Sequence, residues 1–413
     1  MNTITINPGA DIQKVIDSAA SGTTVVFTPG TYDVSNVINL KSGVSLEGQP
    51  GAELLSNGSS GLFQGLGVQD ITISGFTFDG HNGGPGQGSG AIYLDSSTGD
   101  NNGTPSNNIN ILNNTFQNWT NSSDLWLWGT QNTYIEGNTL KDGYQGINWA
   151  TDAGTPALNN LVISGNTITG MQAMAIETAF SSTISNIHID YNNISNIKDI
   201  SLSFVEGPTG GNFESGTVWG NHIDGTNSGS TLLELGNYVG PDNITVANNV
   251  LSNAQYGMMF SHAGGAAVLD NAFTNVQTPF SEDGGYDGTE WIGGNTVDGV
   301  TQNGWSGHGA HGTEPALYSP LNGSSSAPAP TPVSTNPAPT GAVATSATQH
   351  VTVTDPPAAT AATSPSLADH SFALLNQYLA GGGFQGVDHG QIAMAASHVA
   401  SWQNESFLTR PQH

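Results

Sequence analysis

Eight times between Asn114 and Asn295 the chain repeats a short phrase: an apolar β-branched residue, two spacers, an asparagine, one spacer, then an apolar residue. The asparagines are Asn114, Asn138, Asn166, Asn192, Asn221, Asn249, Asn271 and Asn295, at intervals of 24, 28, 26, 29, 28, 22 and 24 residues. A period of this length marks stacked supersecondary units, none of which can bury its apolar face alone. Short β-type runs punctuated by Gly and Asn, with no helical periodicity between them, make each unit one coil of a parallel β-helix. The asparagines are expected to form a structural ladder, bonded to one another and to turn backbone. Gly137, Gly165, Gly220 and Gly294 stand immediately before four of them and suit a left-handed kink.

The start of the chain is different in kind. Ile12, Val15, Ile16 and Ala19 fall at helical spacing behind Asp11, a good N-cap, and Thr23–Phe27 and the turn Pro29-Gly30-Thr31-Tyr32 follow. An amphipathic helix there would cover the open end of a solenoid, which otherwise exposes core and strand edges. This helix, β-run and Pro-Gly-x-Tyr turn resemble the start of pectin-lyase-like right-handed β-helix proteins, and the resemblance spans about residues 4–300. It implies an all-β, single-stranded, right-handed parallel β-helix. It implies no single activity, because that superfamily includes lyases, hydrolases, epimerases and phage tailspikes. Coils ahead of the asparagines are less regular: Val44–Glu47 and Ile71–Phe78 read as strands, with Phe76 at the ladder position.

Three segments are expected. Residues 1–318 form the β-helix, and residues 319–366, rich in Pro, Ala, Ser and Thr, form a disordered linker. In residues 367–413, Leu367, Phe372, Leu375, Tyr378 and Leu379, then Ile392, Ala396, Val399 and Trp402, suggest two short helices, a C-terminal export signal or docking element. Met1–Pro8 lacks the basic and apolar regions of a secretory signal peptide, so an extracellular location is expected either by another route or with the signal already removed.

Charge narrows the partners. The chain has 5 basic and 32 acidic residues, a formal net charge of −27, and its sole arginine is Arg410. Nucleic acid is an excluded partner, since its binding depends on Lys and Arg neutralising phosphates. An anionic membrane surface is disfavoured for the same reason. A neutral polysaccharide meets no such repulsion. There is no cysteine, hence no disulfide framework.

Each coil has a further strand downstream of its asparagine, including Ala91–Asp95, Asp124–Trp128, Gly146–Ala150, Ala175–Ala179, Ile200–Phe204, Thr231–Leu235 and Gly257–Ser261. Period-2 alternation turns Ile92, Leu94, Leu125, Leu127, Ile147, Ile176, Leu202, Phe204, Leu233 and Leu235 inward. The other parity then faces out, and stacking aligns it in one column. Tyr93, Asp95, Trp126, Trp128 and Asn148 in that column are candidate sugar-binding residues, because flat rings match sugar faces and polar edges match hydroxyls. Glu177 and Glu234 are candidate catalytic carboxylates two coils apart. Glu206 and Asp152, at the ends of neighbouring strands, are further candidate acids, and His262 is a candidate binding residue. For any one carboxylate in so acidic a chain the ordinary reading is a solvated surface group, and the long loops at Gly80–Gly90 and Ser96–Asn107 offer covers for the indoles.

Glycoside hydrolysis needs two carboxylates with separated pKa values, about 6.5–9.5 Å apart for inversion and about 5–5.5 Å for retention. Glu177 with Glu234 suits the first spacing and Glu177 with Glu206 the second. A glycoside hydrolase is therefore the expected activity, with no cofactor required. Two alternatives remain: a calcium-assisted uronate lyase, and a non-catalytic glycan-binding adhesin. The lyase is disfavoured because only Lys141 and Lys198 lie in the middle coils, away from the column. Calcium enters through Asp283, Asp287 and Glu290, which supply oxygen ligands of the kind it takes, although a solvated turn is the ordinary reading of them.

Overall fold

The computed structural model describes residues 2–302 apart from 87, 100–102, 152–155, 181, 207–211, 237–242, 261–265 and 283–290. For Val205, Glu206, Asn212, 226–228, Glu282 and Trp291 it describes the backbone alone. The expected linker and tail lie outside the described residues, as do Asp152, His262 and the acidic trio Asp283, Asp287 and Glu290.

The described chain is a parallel β-solenoid. One sheet passes through Asn2–Ile6, Thr23–Phe27, Val44–Gly48, Gln69–Ser74, Ser106–Leu112, Thr130–Glu136, Leu158–Ser164 and Thr183–Asp190. It continues through Gly216–Trp219, Ile244–Ala247, Ala267–Leu269 and Trp291–Gly293. A second sheet of 19 strands takes up the rest of each coil, as in Thr115–Gln117 then Ser123–Trp128, or Thr139–Lys141 then Gln145–Ala150. A parallel partner cannot be reached through a two-residue hairpin, so each strand meets its neighbour a full coil later. That is why the sequence repeats in the twenties. Among the described pairings one is antiparallel, Asn295–Val297 with Val300–Gln302.

The asparagine ladder forms as expected. Asn138 Oδ1 accepts the Asn114 backbone N–H at 2.9 Å and the Asn114 side-chain N–H at 3.1 Å, while Asn138 Nδ2 donates to the Ile111 carbonyl at 2.8 Å. The same three bonds recur at every step to Asn295, which accepts twice from Asn271 and donates to the Val268 carbonyl. Each asparagine thus grips the β-branched residue of the coil before, which explains why both positions repeat together. All eight asparagines are at most 1% exposed, so their amides are satisfied by the stack alone. Phe76, at the ladder position one coil earlier, donates its N–H to Asn114 Oδ1 at 3.1 Å.

The residue before every ladder asparagine lies in the left-handed region, with φ between 54° and 67°. Glycine fills four of these positions; Asn113, Tyr191, Asn248 and Asp270 fill the others. Asn and Asp tolerate this conformation, whereas Tyr191 bears a steric cost of about 1 kcal/mol. The expected single strand over Ile71–Phe78 is split into Gln69–Ser74 and Thr77–Asp79. Gly75 turns left-handed with φ 78° and the Phe76 N–H leaves the sheet for Asn114, a break that unbroken hydrophobicity conceals.

The N-terminal helix is Ile12–Ser18, shorter than its apolar pattern, because Ala19 is already extended. Asp11 accepts the Lys14 N–H at 3.1 Å, and Ile12 and Ile16 are buried. Inside the solenoid equivalent side chains pile up in rows. Phe78 and Phe116 stack at 4.7 Å with 6° between planes, and Trp119 and Trp149 are fully enclosed. Each such side chain contributes about 1.5–3 kcal/mol by leaving water. Among the described residues no helix is long and apolar enough to cross a membrane.

Candidate active site

Register decides which distant residues meet. Tyr93 pairs with Trp126, Trp126 with Asn148, Asn148 with Glu177, Glu177 with Ser203, Ser203 with Glu234, and Glu234 with Met259. The inward parity is the expected one: Ile92, Leu94, Leu125, Leu127, Ile147, Ile176, Leu202, Phe204, Leu233 and Leu235 are all buried core. Glu177 and Glu234 are two rungs apart, or about 9–10 Å between backbones.

Exposure along the column differs from the open face expected. Trp126 is only 5% exposed and Asp95, Asn148 and Glu234 are also buried, whereas Tyr93, Trp128 and Glu177 are half-buried. Two large rings at alternate positions of one strand share a side, and Trp126 stacks on Trp128 at 5.2 Å with 21° between planes. Trp126 is therefore a support for Trp128 rather than a sugar platform of its own. Asp95 turns back on its own strand end, accepting the Tyr93 hydroxyl at 2.8 Å and the Ser96 N–H at 2.6 Å. Ring surface for a ligand is left on Trp128 and Tyr93.

Glu177 is held by two side-chain amides. Its Oε2 accepts Gln145 Nε2–H at 2.6 Å and Asn148 Nδ2–H at 2.5 Å. Asn148 is held in turn by the Trp128 indole N–H, which donates to Asn148 Oδ1 at 3.1 Å, and Gln145 Oε1 accepts the Ser123 hydroxyl at 3.0 Å. Part of the side chain is exposed, but the carboxyl is desolvated. Burial raises its pKa above the ordinary value, with the Gln145 and Asn148 bonds pulling the other way. Gln145 escapes a reading by parity, because it stands at the strand start on the inward set and is named only by the contact it makes.

Glu234 accepts the hydroxyl of Ser203, which stands on the rung between Glu177 and Glu234, at 2.7 Å. Glu206 is aligned by register with Phe180, a core residue, one position off the parity of Glu177. The structure describes the Glu206 backbone alone, so the Glu177–Glu206 pair lies outside the described side chains. Asp152 and His262 lie outside the described residues.

Asp124, at the start of the Trp126 strand, is a second unusual acid. It is fully buried, and neither oxygen has a hydrogen-bond partner among the described residues. Burial, and then the nearby Asp142 charge, push its carboxyl well above the usual carboxylate range. A carboxyl whose pKa is raised by folding makes the folded chain bind more protons than the unfolded one. Its contribution is most favourable below the unfolded value of about 3.9 and is lost as pH rises toward the folded value. Asp124→Asn is therefore expected to flatten the decline in stability above about pH 4, raising the melting temperature at neutral pH and leaving it unchanged at pH values where Asp124 is protonated in both states. Thermal melts of both chains across the acid-to-neutral range check this. Parallel curves would refute it.

A third titratable group sits on the other sheet. Thr217 donates to Asp190 Oδ1 at 2.8 Å and contacts His188 Nδ1 at 2.8 Å, and all three are buried. Burial raises Asp190 to about 7 and lowers His188. The cluster lies on strands of the other sheet, with Trp219 as the register partner of Asp190, and is not part of the Glu177 column. Among the described residues no group of three or more acids and histidines could hold a metal ion.

No family model matches the chain, and no curated protein does. Among solved structures it is similar to the A-module of mannuronan C-5 epimerase AlgE6 from Azotobacter vinelandii, at 15% identity and a TM-score of 0.37, covering 69% of this chain and 94% of that one. It is also similar to a tailspike protein of E. coli bacteriophage HK620 in complex with a pentasaccharide, at 12% identity and a TM-score of 0.43. There the alignment covers 71% of this chain and 64% of the tailspike chain. PfbA, a surface adhesin of Streptococcus pneumoniae, is similar at 16% identity and a TM-score of 0.34, over 68% of this chain and 94% of that one. Likeness of this degree bears on neither substrate nor chemistry.

Proposed function

We propose that this chain acts outside the cell on a neutral glycan and hydrolyses it, with Glu177 as general acid and Glu234 as general base. The observation that carries the reading is the Glu177 carboxyl. It is desolvated and pinned by two amides, and it stands one residue column away from the half-buried ring of Trp128 and two rungs from a second glutamate. In the proposed step Glu177 gives its proton to the glycosidic oxygen as the bond to the anomeric carbon breaks. A water oxygen bonds to that carbon from the opposite face and yields its proton to Glu234, and exchange with solvent restores both groups. The backbone spacing of about 9–10 Å suits an inverting pair once the side chains lean together. Uronate polymers fit less well, because the column offers them carboxylates and no Lys or Arg. A lyase would need a bridging cation such as calcium.

The burial of Glu234, 4% exposed and bonded to Ser203, favours a second reading in which the same face binds glycan without cleaving it. Purified protein incubated with neutral and acidic polysaccharides, read by new reducing ends and by ultraviolet absorbance of unsaturated products, separates the cases. Hydrolysis of a neutral glycan that Glu234→Gln loses by about a hundredfold or more, with binding intact, supports the hydrolase. Unsaturated products point to a lyase. Binding with no cleavage of any substrate leaves the adhesin-like reading.

A further inference from the structure

We propose that Trp128 is a positioning residue: through the Asn148 amide it sets the orientation of the Glu177 carboxyl, in addition to any contact its ring makes with sugar. The inference deepens the proposed site and rests on Glu177 being its acid.

Donors and acceptors fix the direction of each amide. An indole N–H can only donate, so the group it meets 3.1 Å away must be the Asn148 carbonyl oxygen and not its NH2. That choice leaves the Asn148 NH2 no direction but the opposite one, toward Glu177 Oε2. From the other side Ser123 donates to Gln145 Oε1 and turns the Gln145 NH2 onto the same oxygen. Two N–H donors on Oε2 exclude a proton there. A protonated Glu177 must therefore carry its hydrogen on Oε1, which accepts nothing among the described residues and is free to face a substrate. Trp128 itself pairs with Ala150, one rung before the Glu177 coil and two positions further along the strand, so its effect on Glu177 runs through Asn148.

Removing the indole N–H releases the Asn148 amide to turn over. Its carbonyl oxygen then faces Glu177, where it repels the ionised form and accepts a proton on Oε2. Both consequences raise the Glu177 pKa further and move the acidic hydrogen away from the open side. Trp128→Phe keeps a flat, though smaller, apolar ring that can still stack on Trp126 and meet a sugar, and it deletes this bond, while Asn148→Ala breaks the same relay with the indole intact.

The test has two arms. In the first, Glu177 is titrated in the full chain by carbon-13 NMR of labelled glutamate carboxyls, its resonance assigned with Glu177→Gln. The expected result is a higher pKa in Trp128→Phe than in the parent, the same rise in Asn148→Ala, and no additional rise when the two are combined. In the second arm, cleavage of a neutral glycan is expected to lose about tenfold in kcat, the equivalent of one pKa unit, with KM within about twofold and the basic limb of the kcat profile moved up. An unchanged Glu177 titration in Trp128→Phe, or a double variant whose shift is the sum of two, would overturn the inference. If the parent cleaves no glycan, the hydrolase reading falls and the titration arm still decides whether Trp128 positions Glu177. Should Trp128→Phe prove unstable, the Asn148→Ala titration decides in its place: a raised Glu177 pKa supports the relay and an unchanged one overturns it.

Discussion

Asn166→Ala is expected to destabilise the solenoid by about 3–5 kcal/mol, among the larger losses a single substitution causes. The Asn166 amide accepts the Asn138 backbone N–H at 2.9 Å and the Asn138 side-chain N–H at 3.1 Å. It also donates to the Ile135 carbonyl at 2.8 Å and to Asn192 Oδ1 at 3.0 Å. Alanine leaves the backbone N–H of Asn138 without its partner in a place water does not reach, and orphaning a buried polar group costs about 1–3 kcal/mol. The ladder is also where successive coils hold one another, and in a stacked protein stability resides in such nearest-neighbour contacts. Urea unfolding should therefore lose cooperativity as well as shift its midpoint, and hydrogen exchange should quicken first near Asn138 and Asn192. A loss below about 1 kcal/mol would mean that the amides are passengers and that apolar stacking alone sets the coil spacing.

Glu177→Gln is expected to lower turnover of a neutral glycan by about 10²–10⁴-fold, the range for loss of a general acid. Glutamine has nearly the same shape, and its carbonyl oxygen can still accept from Gln145 and Asn148, so glycan affinity and melting temperature should change little. Substrates whose leaving group departs without protonation should suffer much less, which distinguishes a missing acid from a damaged fold. In the parent chain the acid is competent while protonated, and burial raises its pKa. Activity should thus persist to higher pH than an ordinary glutamate permits and fall as pH passes the folded value. Equal losses on both kinds of substrate would remove Glu177 from the role of acid, and an unaffected rate would remove it from the site.

The asparagine ladder and the register of the outward column were legible because both follow from periodicity. A β-branched residue and an asparagine at constant separation mark the same corner of each coil. Alternation of two then assigns inward and outward sides wherever one side is strongly apolar, as in Leu125, Leu127, Ile147 and Ile176. What alternation could not convey was depth. Trp126 and Trp128 have the same parity, yet one ring lies beneath the other. Asp124 shares that parity too and is wholly enclosed. Gln145 stands on the inward set, and still its amide reaches the carboxyl of Glu177.

From sequence alone came the solenoid, its ladder and the column on which Tyr93, Trp126, Asn148, Glu177 and Glu234 align, with Trp128 beside it, because strand pairing is a local rule repeated coil after coil. Only the tertiary structure decided which of these side chains remain open to a ligand, which acids lose their water, and which amides hold Glu177. Those outcomes depend on the packing of side chains between rungs, where a neighbour brought in from 20 to 30 residues away sets the solvation and hydrogen bonding of each group.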